Sequence, residues 1–198
     1  MNMSADTVRS VAGDLVWQFR PDLFSPGEVQ PVSGSHENGS QLGQDVSIFH
    51  DASDPLYLIN RINPVGGTPS LRMTCYRFQG TFLSLAMALP NDQTALLRSG
   101  HEMVLEIDAD ASRPVALDTR LNISIDGEIM VLFSHRIVTQ GRRTIIFDLQ
   151  HLDLRASTVG NAWCDLIFRN PEMIEIELSD LALALRQRDG DQGKTDGG

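Results

Sequence analysis

The sequence predicts an all-β protein, an antiparallel β-sandwich read as a jelly roll with about nine or ten strands, on three observations. From about Asp45 to Arg186 the apolar residues recur with period two, not 3.6. The segments are short and punctuated by Gly, Pro, Asn and Asp. The one helical candidate, "NDQTALLRS", is short, with Asn91 or Asp92 placed to cap a turn after Pro90. Short strands without long helices bury their apolar faces best as two packed sheets.

The elements follow in order. Residues 1–15 are read as a flexible N-terminus, 16–188 as a single β-sandwich domain and 189–198, "RDGDQGKTDGG" with its leading residue, as a disordered tail on composition. "LVWQFRPDLF" has no clean strand period yet must bury Trp17, Phe19, Leu23 and Phe24, and residues 18–44 are rich in turn formers. Strands are expected at 45–49, 56–62, 71–78, 81–89, 102–108, 129–138, 143–149, 162–168 and 173–185. The clearest is Leu117, Thr119, Leu121 and Ile123 alternating with Asp118, Arg120, Asn122 and Ser124, one row for core and one for water. It runs into "IDGE". A two-residue loop at Asp126-Gly127 would carry Ile129, Val131 and Phe133 away from Ile123. A three-residue loop over 125–127 would pair Ser124 with Glu128 outside and Ile123 with Ile129 inside, with Gly127 at the left-handed position such loops need, and this reading is preferred because pattern and glycine agree. The core is then expected to hold Leu121, Ile123, Ile129, Val131, Phe133, Phe147, Leu166 and Phe168. In the last strand Ile174, Ile176 and Leu178 share one parity and Leu181, Leu183 and Leu185 the other, so a β-bulge is expected at Ser179-Asp180.

Composition narrows the function classes. The net charge of −10 argues against nucleic acid, whose affinity rests on clustered Lys and Arg. No apolar run approaches a membrane span and no signal-peptide core precedes the first strand, so a cytoplasmic chain is expected. Fifteen arginines against one lysine, Lys194, read as a GC-rich bacterial genome. Cys75 and Cys164 lie in apolar strand patterns without metal spacing and are expected as buried free thiols.

The segments "VWQFRPDLF", "LGQDVSIFHD", "YRFQGTFLSLAMALP", "TRLNISIDG" and "AWCDLIFRNPEMIEIELSDLALALR" together resemble an uncharacterised alphaproteobacterial family of unknown function. The resemblance covers roughly Val16 to Arg188 and implies no activity. The helical N-terminal arm associated with that family is not expected in this chain, and 117–147 is less alike. A weaker resemblance, in "IEIELSDLALAL", is to jelly-roll carbohydrate-binding and galactose-binding-like domains, and fold analogy does not establish function.

Catalytic signatures such as G-x-S-x-G, H-E-x-x-H, a phosphate-binding glycine run or G-x-G-x-x-G do not occur. "FHD" gives the best polar cluster, in which Asp51 would orient His50 as a base, or cap the turn before Pro55. His135 and His151 read as isolated strand residues. No cofactor is expected beyond a structural calcium, for which Asp180 at the bulge is the candidate ligand, with Asp45 or Asp51. For a binding site, Trp163 and Asp165 share one face of 162–168, while Arg120 and Asn122 share the outward row of 117–124. Trp163 offers an aromatic platform and the others planar polar groups. Cys164, Leu166 and Phe168 should face the core, leaving Trp163 and Ile167 on a second face. The N-terminal segment is expected to lie across that face; the competing reading is that Trp163 and Asp165 floor a ligand groove beside Arg120 and Asn122.

Three functions remain in play. The favoured one is a non-catalytic binding module for glycan or another polar ligand, monomeric or weakly dimeric, using Trp163, Asp165, Arg120, Asn122, His50 and Asp51. The others are a structural or assembly protein whose sheet edge or apolar face packs on a protein partner, and a jelly-roll hydrolase or lyase.

Overall fold

The computed structural model describes residues 14–26, 32–152, 154 and 158–188; the expected disordered tail and all but the last two residues of the expected flexible N-terminus lie outside them. Among the described residues there are twelve strands: β1 (Leu15–Phe19), β2 (Ser33–Gly34), β3 (Val46–His50), β4 (Leu56–Ile62), β5 (Ser70–Arg77), β6 (Phe82–Ala88), β7 (His101–Ala111), β8 (Val115–Ile125), β9 (Glu128–Val138), β10 (Arg142–Asp148), β11 (Val159–Arg169) and β12 (Ile174–Gln187). A one-turn helix, α1 (Asn91–Thr94), follows Pro90, and a 3₁₀ turn covers Asp22–Phe24. Among the described residues no helix is long and apolar enough to cross a membrane.

The strands form two antiparallel sheets packed as a sandwich. One runs β10-β7-β12-β5-β4-β2, with β1 joining β12; the other runs β3-β6-β11-β8-β9. Alternation places the core where the sequence predicts for β8 and β11: Leu121, Ile123, Cys164, Leu166 and Phe168 are fully enclosed, and Phe147 joins them from β10. Cys75 and Cys164 are buried free thiols. Burial pushes the Cys75 thiol up to about 12 and raises that of Cys164 too, which disfavours the thiolate at both.

The expected bulge is present. Leu178 stands opposite Ala109 and Asp180 opposite Asp108, so Ser179 is the extra residue. Leu178, Leu181, Leu183 and Leu185 are all fully buried as a result.

Two expectations are corrected. The hairpin between β8 and β9 uses the two-residue loop: Ile125 faces Glu128, Ser124 faces Ile129 and Ile123 faces Met130. Asp126 and Gly127 both adopt positive φ, 52° and 87°, as a type I′ turn demands. Thr158 secures it, its amide donating to Asp126 Oδ1 at 2.8 Å and its carbonyl accepting from the Asp126 amide at 3.0 Å. Turn chemistry therefore outweighs the apolar pattern, and Ile129, Val131 and Phe133 are not core but 57%, 49% and 57% exposed. Secondly, the N-terminal segment does not lie over Trp163. β12 is 14 residues long and β5 pairs only with its first half. β1 completes the same side of its second half, Trp17 opposite Leu185 and Phe19 opposite Leu183. Leu23 and Phe24 then turn into the core, where Arg61 donates to the carbonyls of Leu23 (3.0 Å) and Ser25 (2.8 Å).

Candidate ligand-binding groove

Among the described residues no segment crosses the groove side of the five-stranded sheet's outward face. Strand pairing sets Asp165 beside Ala86 on one side and Arg120 on the other, with Trp163 beside Ala88 and Asn122. β6 reads "FLSLAMA", so beyond Phe82 its outward row is Ser84, Ala86 and Ala88, which rise little above the backbone. On β11 the neighbouring row is Trp163 and Asp165; on β3 it is Ser47 and Phe49. Two taller walls over a floor of alanines make a trough of about 780 Å3, extended by Gln41, Gln44 and Asp45 ahead of β3, Asn91 of α1 and Asn161 of β11.

The wall ahead of β3 is fixed by main-chain bonds. Ile48 donates to Ser40 O (2.9 Å), Gly39 to Ile48 O (2.8 Å) and Leu42 to Val46 O (2.8 Å). Gly39 sits at φ 83°, a conformation that costs a side chain dearly.

Asp165 is the charged group of the opposite wall. Burial raises its pKa, and hydrogen bonds from Asn122 and Trp163 together with the positive charge of Arg120 only partly offset this. Asn122 is itself buried; its amide donates to Asp165 Oδ2 at 2.9 Å, so it positions the carboxylate from beneath. Asp45 is also raised, by burial and then by the neighbouring Asp22. The groove thus combines an indole and a phenyl ring with amides and two carboxyls whose ionisation is opposed.

Of the sequence-predicted residues, Trp163, Asp165, Arg120 and Asn122 come together, Trp163 and Asp165 as lining and the other two beside them. His50 and Asp51 do not join. The His50 ring packs edge-on against Tyr57 and Phe78, at 5.6 and 6.1 Å between centroids, its nitrogens buried. Asp51 instead accepts from the Thr81 amide (2.7 Å), the Thr81 hydroxyl (2.6 Å) and the Phe82 amide (3.2 Å). It closes the turn before β6, and a Cβ on Gly80 would stand 2.4 Å from its Oδ1. Asp180 engages Arg20 and Arg142 in the other sheet, so it does not meet Asp45 or Asp51, which flank β3.

Sequence reasoning missed Phe49, the glutamines and the alanine floor. The signal was the small outward row in "SLAMA". It also took His135 as isolated, whereas its Nδ1 lies 2.6 Å from Asp118 Oδ1, and Arg169 Nε donates to Oδ2 at 2.7 Å. Asp118 is buried, which opposes its charge, yet the bonds from His135 and Arg169 outweigh burial and hold its carboxyl below the ordinary range.

Comparisons with known proteins complete the description. The model of a family of unknown function, DUF6478, matches residues 2–190. No curated protein matches the chain. Among solved structures, the chain is similar to the enzymatically active domain of tailspike protein 4 of bacteriophage CBA120, with a TM-score of 0.52 and 10% identity over 77% of this chain. It spans only 21% of that tailspike chain. It is similar also to the CBM22-1 xylan-binding domain of Paenibacillus barcinonensis Xyn10C (TM-score 0.47, 11% identity, 83% of this chain and 99% of that one). A third is a family 11 carbohydrate-binding module of Clostridium thermocellum in complex with a mixed-linked tetrasaccharide (0.46, 8%, 77% and 95%). At such identities the likeness is one of fold.

Proposed function

The chain belongs to DUF6478, a family of unknown function, and we propose that it is a non-catalytic binding module whose outward groove takes a polar glycan. The supporting observation is the groove lining itself. Trp163 and Phe49 stand on facing walls, with Gln41, Gln44, Asn91 and Asn161 around them. A sugar ring presents an apolar C–H face and a rim of hydroxyls, which suit an aromatic surface and planar donor-acceptor side chains respectively. Asp165, held by Asn122, adds a fixed acceptor for a hydroxyl. In this reading Asn122 and Arg120 position and tune Asp165 rather than meet the ligand.

Affinity electrophoresis in gels containing xylan, mixed-linkage β-glucan or a polyuronate tests it. At least one polymer should retard the protein, and Trp163→Ala should abolish the retardation in a protein that still melts cooperatively. Unchanged mobility in every gel would set the proposal aside. One observation favours a second reading, a hydrolase: the exposed imidazole of His135 held by buried Asp118 on the same face. Release of reducing ends from those polymers, lost in His135→Ala, would carry that reading instead.

A further inference from the structure

β9 ends the five-stranded sheet, and among the described residues its strand partner is β8 alone. The two-residue turn determines which of its backbone groups are free. Residues flanking such a turn form a hydrogen-bonded pair, so Glu128 and every second residue after it direct their amides to β8. Ile129, Val131, Phe133, His135 and Ile137 direct theirs to the open edge.

Edge strands are ordinarily blunted by charged side chains, Lys above all, or by Pro, a bulge or brevity. β9 carries charges only towards its ends, at Glu128 and Arg136, and otherwise lacks these devices: it runs 11 residues, contains neither Lys nor Pro, and pairs with β8 without a register shift. No charge occurs from Ile129 to Ser134. On its outward row Ile129, Val131, Phe133 and Ile137 are about half exposed. On that edge Arg136 donates to the His135 carbonyl at 2.8 Å, a contact the exposed side chain gives up when it meets a partner strand. An apolar row of this size beside a backbone edge without a strand partner among the described residues is a template for another strand.

We infer that the occupant is β9 of a second copy of this chain, paired antiparallel about a twofold axis at Leu132. Charge selects the occupant. The chain carries −10, so two copies repel over most of their surfaces. β9 holds one Glu, one Arg and a His, and is locally neutral. The twofold at Leu132 sets Glu128 of each copy opposite Arg136 of the other, in the non-hydrogen-bonded pairs where side chains approach most closely. On the outward face it sets Val131 against Phe133 and Ile129 against His135. The edge-facing residues then exchange about eight backbone hydrogen bonds. An axis at Phe133 would instead leave Glu128 facing Val138 and Arg136 facing Met130.

Sedimentation equilibrium of the full chain over about 1–300 µM tests this, a range suited to a small, one-strand interface. A monomer–dimer equilibrium is expected. Phe133→Lys should raise the dissociation constant at least tenfold and leave the melting temperature of the dilute protein in place. Glu128→Arg should weaken the dimer and Glu128→Arg with Arg136→Glu restore it, an outcome that a general loss of folding would not give. A monomer throughout the range, a dimer indifferent to Phe133→Lys, or a charge reversal that fails to rescue would each overturn the inference.

Discussion

Deletion of Ser179 is the sharpest test of the sheet register. Between Ile176 and Gln187, Ser179 is the one residue of β12 without a counterpart on β7, so removing it joins Leu178, opposite Ala109, directly to Asp180, opposite Asp108. Those partners are neighbours on β7, and Leu178, Asp180 and Leu181 then alternate inside, outside and inside as a regular strand. Leu181, Leu183 and Leu185, all fully buried, keep their places, and Asp180 keeps Arg20 and Arg142 beside it. The deletion variant should therefore melt cooperatively within a few degrees of the parent by circular dichroism. Deletion of Ala182 is the contrast, because it can be absorbed only by closing the bulge with Ser179 still in the strand. Asp180 then takes the inner position of Leu181 and Leu181 moves outward, while Leu183 and Leu185 stay inside. Losing one buried Leu costs about 2–5 kcal/mol, before the desolvation of Asp180 is counted, against a typical domain stability of about 5–15 kcal/mol. That variant should melt far below the parent or lack a cooperative transition. A Ser179 deletion that unfolds the protein, or an Ala182 deletion that melts with the parent, would refute the bulge as the device that keeps these leucines inside.

Three further outcomes follow from the electrostatics and burial. Asp118 has a depressed pKa, so its contribution is present above the unfolded carboxylate value and lost as pH falls through the folded one; Asp118→Asn should lower the melting temperature at pH 7 and flatten its acid limb. Asp165 has a raised pKa, so ionisation costs stability as pH rises through the unfolded value; Asp165→Asn should raise the melting temperature at pH 7 and change little below about pH 3. Cys75 and Cys164 should resist a thiol reagent in the native protein and both react in denaturant, which a titration of free thiols reads directly.

The sequence disclosed the strands because half-buried strands alternate, and it disclosed the Ser179 bulge because one parity change in β12 has a single cheap repair. β1 was hidden, since five residues with Trp17 and Phe19 in phase give too short a pattern, and its place depends on how much of β12 remains unpaired. The β9 register was misjudged because β9 is apolar on both parities, so the pattern could not choose and the Asp126-Gly127 turn did. Within the groove, Trp163, Asp165, Arg120 and Asn122 were legible as outward residues of two strands. The alanine floor and the Phe49 wall were not, because they depend on β6 and β3 lying next to β11, and strand order is set by contacts distant in sequence.

The pairing of β1 with β12 has a consequence in time. A chain made from its N-terminus holds Trp17 and Phe19 ready long before residues 183–186, their strand partners, exist. β7 and β5 wait for the same strand. The seven-stranded sheet thus stays without its centre until nearly all of this chain has left the ribosome, while β8 and β9 can already close as a hairpin. A ribosome-bound chain halted before β12 should hold an unmated Trp17 and exposed apolar strands, and so make a better chaperone client than any stage after it.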